Sequence, residues 1–157
     1  RTTGDNAGEE VYGGSDLVMV RGDFDALIAG VASPSLRRAI EQARRYHQAV
    51  IDCYPGFFAS RVNYDVAQGV DGRGEWRSGV LEQSWRVGGA TGAEIAGLEA
   101  LHADPGRREV RASCFEVYGP SVLVPADAIV AYQGTDSRVG PLAKYTILPG
   151  DRHADAP

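Results

Sequence analysis

Lysine is nearly missing from this 157-residue chain: Lys144 stands alone, and the other strong bases are arginines. Any phosphate chemistry here must lean on arginine, backbone N–H groups or a metal ion. Cysteine is scarce as well. Cys53 and Cys114 lie outside any CxxC pair, so buried thiols in a reducing cytoplasm are expected. No apolar run approaches the roughly 18 residues of a membrane helix. No GK[ST] follows the glycines of "YGGSD", which excludes a Walker loop. No GxSxG elbow supports a Ser–His–Asp triad. There is no repeat and no low-complexity segment. The net charge of −5 argues against a nucleic-acid surface, which is usually basic. No signal peptide is visible, and the chain starts with Arg1 rather than Met, as a processed chain or a fragment does.

What remains is an ordinary globular composition, 43% hydrophobic and 24% charged, long enough for one core. Residues 1–16 are polar and Gly-rich and read as a flexible loop. "LVMVR" (17–21) predicts a strand, and "GDFDALIAG" (22–30) a short helix. The clearest helix spans 35–51. Ser33 or Ser35 caps it, Pro34 sits in its first turn, and Leu36, Ile40, Ala43, His47 and Val50 recur on one side. A hairpin follows over 57–70 and 76–87. A second helix begins near Thr91, whose spacing to Glu94 is that of a capping box. Ile95, Leu98 and Leu101 form its apolar stripe. Strands are predicted at 109–119, 128–134 and 143–149, with a tail over 150–157. This order favours an α+β domain over 17–149, with a mostly antiparallel sheet and helices on one face.

The hairpin "NYDVAQGVDGRGEWRSGVLEQSWRVGG" carries polar residues at alternate positions. Asn63 and Asp65 share one face of the first strand, and Glu82, Ser84 and Arg86 one face of the second. A turn centred on Arg73–Gly74 sets Asp65 opposite Glu82 and Asn63 opposite Ser84. Two carboxylates about 5 Å apart at Cβ repel unless a cation sits between them. Mg²⁺ is the natural candidate, since it takes hard oxygen ligands and leaves positions for phosphate. Arg86 suits a phosphate, Gly88–Gly89 admits close backbone approach, and the next helix points its N-terminus at an anion. The plainer alternative is an exposed hairpin face with a surface ion pair of little worth. A one-residue slip in register destroys the constellation.

"GVLEQSWRVGGATGAE" resembles the terminal motif of ATP-grasp enzymes, a strand reading Glu-x-Asn-x-Arg-x-Gly-Gly before a Thr or Ser and a helix. "NYDVAQGVDGRGEW" is similar to the strand and turn that precede it. More closely, "EVYGGSDLVMVRGDFDAL", "NYDVAQG", "SGVLEQSWRVGGATGAEIAGLEAL" and "VGPLAKYTILPG" resemble an uncharacterised bacterial family, domain-of-unknown-function family 3182, thought to be ATP-grasp-like. The resemblance runs through most of residues 9–149. It implies the C-terminal lobe of an ATP-grasp fold that binds Mg²⁺ and ATP. Asp65, Glu82, Asn63 and Ser84 are then the metal ligands. Arg86 is the catalytic phosphate contact, with Gly88, Gly89 and Thr91 completing the cofactor site. Ser84 departs from the motif, which has Asn there, and Asn63 offers the missing amide.

The implied activity is an ATP-dependent carboxylate ligase, in which ATP converts a small-molecule carboxylate to an acyl phosphate that a nucleophile then attacks. The lobe with the nucleotide-binding lysines normally precedes this region, so the chain resembles a C-terminal lobe cut before its partner. Alone it is expected to bind ATP weakly or not at all. The alternative is a degenerate, non-catalytic remnant that acts as a binding or assembly module. A cytoplasmic protein is expected, with neither nucleic acid nor membrane as partner; a homodimer stays open. His47 reads as structural, and His102 and His153 lack zinc-site spacing. Trp76 and Trp85 read as packing on the back of the hairpin. Arg138 and Lys144 read as surface residues that the resemblance brings within reach of an anionic substrate.

Overall fold

The computed structural model describes residues 2–4 and 10–149. The expected tail over 150–157, and positions 1 and 5–9 of the expected N-terminal loop, lie outside the described residues. The chain divides into two compact units, Arg1–Arg21 with Val87–Pro157 and Gly22–Arg86. The class is α+β, as the element order predicts, and every strand pairing is antiparallel. Among the described residues the strands form three sheets rather than one.

In the first unit, β1 (Thr2–Gly4) pairs with β2 (Glu10–Tyr12). A four-stranded sheet follows, in the order β3 (Gly14–Val20), β6 (Glu109–Tyr118), β8 (Gly140–Ile147), β7 (Ile129–Asp136). The loop expected over 1–16 is therefore corrected over its described part. Gly14, Ser15 and Asp16 pair with Phe115, Cys114 and Ser113, because their backbone groups meet a long partner strand and composition does not outweigh that ladder.

Helix α3 (Thr91–Ala103) packs on one face of this sheet. Ala93, Ala112 and Cys114 make the centre of the core, flanked by Leu17, Ala90 and Leu148. The expected stripe of Ile95, Leu98 and Leu101 holds at one position of the three. Leu101 is buried, but Ile95 and Leu98 are 52% and 58% exposed. The buried side carries Ala93, Ala96 and Gly97 instead. A Cβ on Gly97 would stand 2.2 Å from Met19 Sδ, so small residues set how near the helix comes to the sheet. Arg21 closes the far end of α3, donating from Nη2 to Leu101 O and from Nε to Arg107 O at 3.2 Å. On the opposite sheet face the Phe115 and Tyr145 rings stack at 4.9 Å.

The second unit holds α1 (Phe24–Ala29), α2 (Pro34–Cys53) and the hairpin of β4 (Tyr64–Val70) and β5 (Trp76–Gln83). Asp23 caps α1 by accepting from Ala26 N at 3.0 Å. Ser33 caps α2, with Pro34 at its first position, where a missing N–H costs nothing. Ile40 and Val50 are buried as the periodicity predicts, while Leu36 is half exposed. Helix α2 lies along the hairpin. Gln42 Nε2 donates to Ser78 O at 2.8 Å, Gln68 Nε2 to Ser35 O at 2.8 Å, and Tyr46 Oη to Gln83 Oε1 at 2.8 Å. His47 is structural, as expected, its Nδ1 lying 2.9 Å from Tyr64 Oη. Burial pushes the Tyr64 hydroxyl above its ordinary value. Trp85 packs against Phe57 at 4.6 Å, whereas Trp76 is 48% exposed at the hairpin tip. Neither cysteine forms a disulfide; Cys114 is buried, but Cys53 is exposed near the end of α2, where a buried thiol was expected.

Candidate functional site

The hairpin turn spans 71–75. Asp71 organises it: its Oδ1 accepts from Arg73 N at 2.8 Å and Glu75 N at 3.0 Å, and its Oδ2 from Arg77 Nε at 2.9 Å. The Arg77 guanidinium and those two amides hold the Asp71 carboxyl below its ordinary range. Val70 pairs with Trp76 and Val66 with Val80, so the turn centres on Arg73, not between Arg73 and Gly74. Continued unbroken, that register sets Asp65 against Leu81. It does not continue: the ladder shifts between Asp65 and Val66, and Asp65 pairs with Glu82. Leu81 is the extra residue of this β-bulge and is 74% exposed. Bulges re-aim side chains at the ends of strands in this way.

Cα partners on antiparallel strands carry their side chains on one face. Asp65 and Glu82 therefore share a face, and both are exposed. Asn63 Nδ2 donates to Asp65 Oδ1 at 2.8 Å, which leaves its amide oxygen turned from that carboxylate. Ser84 N donates to Asn63 O at 2.9 Å, bringing those two residues opposite each other, as the expected register requires. Together they offer two carboxylates, an amide oxygen and a hydroxyl, a hard-oxygen donor set of the kind Mg²⁺ takes. Among the described residues, no group of three or more His, Cys, Asp or Glu side chains is placed to hold a metal.

The expected second strand, 76–87, ends at Gln83, and the expected first strand starts at Tyr64 rather than residue 57. Arg86 thus stands beyond the strand. Its carbonyl accepts from Arg61 Nη1 at 2.5 Å, and that of Ser84 from the same nitrogen at 3.3 Å. Sequence reasoning missed Arg61. The signal was the alternation of Arg61, Asn63 and Asp65, which matches that of Glu82, Ser84 and Arg86 two steps further back.

Gly88, Gly89 and Thr91 belong to the first unit. Gly88 N donates to Thr91 Oγ1 at 2.8 Å. The capping box is not formed: the N-cap of α3 is Ala90, whose methyl group has no acceptor, and Thr91 is already the first helical residue, its hydroxyl accepting from Gly88 N instead. A Cβ on Gly89 would stand 2.4 Å from Tyr12 Cε1, so this glycine is required by packing. Tyr12 Oη lies 2.8 Å from Ser15 Oγ and 3.4 Å from Cys114 Sγ. Burial and then the Cys114 contact push the Tyr12 hydroxyl up to about 12. Lys144 pairs with Glu116 at 2.9 Å, and Arg138 is exposed beyond β7, its backbone N donating to Asp136 Oδ1 at 2.8 Å.

The fold is thus an α+β protein whose exposed hairpin displays opposed acidic residues. The chain belongs to the family described as Protein of unknown function (DUF3182), whose model matches residues 1–146. No curated protein and no solved structure matches it. No helix among the described residues is long and apolar enough to cross a membrane.

Proposed function

We propose that this chain is the metal- and phosphate-binding part of an ATP-dependent carboxylate ligase of the acyl-phosphate kind. The observation that carries the reading is the pairing of Asp65 with Glu82 through a bulge. Directly opposed like charges cost stability, and a bulge that creates such a pair is consistent with a cation between them. The ATP-grasp-like motif over 79–94 supports the same reading. Asp65, Glu82 and Asn63 are the residues that hold the ion, with Ser84 as the weaker fourth donor. The bound ion supplies neutralisation of phosphate charge. Arg86 binds phosphate oxygens through the planar fork of its guanidinium.

The test is Mn²⁺ titration of the chain with inorganic pyrophosphate present, followed by the paramagnetic resonance of the ion. Binding is expected, and Glu82→Ala weakens it by about tenfold or more, the loss of one charged ligand. A folded chain that takes up no ion at millimolar concentration overturns the proposal. That result favours the second reading, a non-catalytic remnant, for which Ser84 in place of the motif's Asn already speaks.

A further inference from the structure

We infer that Arg61 is a positioning residue for Arg86, an inference that rests on the phosphate reading above. Strand β5 ends at Gln83, and the bond from Ser84 N to Asn63 O extends the ladder by one residue. Arg86 lies two residues further on. Arg61 Nη1 donates to the carbonyls of both Ser84 and Arg86, at 3.3 and 2.5 Å. One guanidinium nitrogen that reaches both carbonyls draws them closer than an extended chain holds them, at a rise of about 3.3 Å per residue, and so fixes the bend in which Arg86 lies. Where the Arg86 side chain projects is set by that bend, and Arg61 holds the bend. The position of Arg61 suits this: Asp65 opposes Glu82 and Asn63 opposes Ser84, and Arg61, two residues earlier, reaches the Arg86 carbonyl through its side chain. The donor is charge-assisted, so it holds the segment where the backbone ladder has ended.

Two readouts test this on the same chain. Hydrogen exchange at the Trp85 and Arg86 amides reports the segment's order, and Mn²⁺–pyrophosphate titration reports the site. Arg61→Gln is expected to speed exchange and weaken pyrophosphate binding, each by about tenfold. Mn²⁺ binding without pyrophosphate should fall much less, since Ser84 is only the weaker fourth donor. In a double-mutant cycle with Arg86→Ala the two losses should not add, since Arg61 acts through Arg86. Arg61→Lys keeps a cationic donor, falls between the two in both readouts, and carries the test if Arg61→Gln does not fold. Unchanged exchange overturns the inference. So does faster exchange with unchanged pyrophosphate binding where Arg86→Ala weakens it. If the unaltered chain binds no pyrophosphate, the phosphate reading itself fails, and the inference with it.

Discussion

Asp65 and Glu82 are partners across a hairpin whose turn, taken alone, pairs Asp65 with Leu81. The extra residue at Leu81 brings the two carboxylates to one face. In the absence of a cation this pairing is a strain on the hairpin. Glu82→Ala is therefore expected to raise the stability of the metal-free chain by about 0.2–1 kcal/mol. Addition of Mn²⁺ should stabilise the unaltered chain more than the variant at the same concentration, which thermal unfolding with and without the ion measures. A variant less stable than the parent without metal contradicts the repulsion.

Helix α3 turns its small residues to the sheet. Gly97→Ala drives a methyl into Met19, and a loss of about 1–3 kcal/mol is expected as the contact is overpacked. Leu98→Ser, on the exposed side, should stay within about 0.5 kcal/mol of the parent. Denaturant unfolding of both variants decides which face is buried, and equal losses would reverse the assignment.

The hairpin turn should respond to acid. The Asp71 carboxyl is held below its ordinary value of 3.8 by Arg77 and the Glu75 and Arg73 amides. A depressed folded value means that its contribution is complete above the ordinary value and disappears as pH falls through the lowered one. Asp71→Asn should therefore melt lower than the parent at neutral pH, with the gap closing in strong acid. Because the group is exposed, the gap should also shrink as salt rises. Melting points across a pH series read it, and a gap independent of pH rules out the charge.

The two thiols should differ in reactivity. Cys53 is exposed and Cys114 buried. In the folded chain an aromatic disulfide reagent should modify Cys53 quickly and Cys114 only slowly, with both reacting once the chain is unfolded. Fast reaction of both thiols in the folded state would mean that the packing around Ala93, Ala112 and Cys114 opens readily.

Much of this architecture was legible because it is locally encoded. Ser33 and Pro34 announce α2, the alternation in 109–119 announces β6, and the polar row of the hairpin was read with its partners in register. The path to that register was not legible. A turn centred one half-residue away and a compensating bulge give the same pairing of Asp65 with Glu82, and no side-chain pattern distinguishes them. The stripe on α3 misled because Ile95, Leu98 and Leu101 fit a helical period. Which side faces the sheet is decided by how near Met19 approaches Gly97, a contact far apart along the chain.

The sequence by itself determined the class, the helix starts, the scarcity of lysine that puts any phosphate chemistry on arginine, and the alternate polar positions from Asn63 to Arg86. These rest on periodicity and caps, which act over a few residues. Only the tertiary structure decided that the strands form separate sheets, that Gly89 serves the Tyr12 ring, and that Arg61 grips the carbonyls of Ser84 and Arg86. Those outcomes depend on contacts between residues distant in sequence, where packing distance and the satisfaction of backbone groups outweigh local preference.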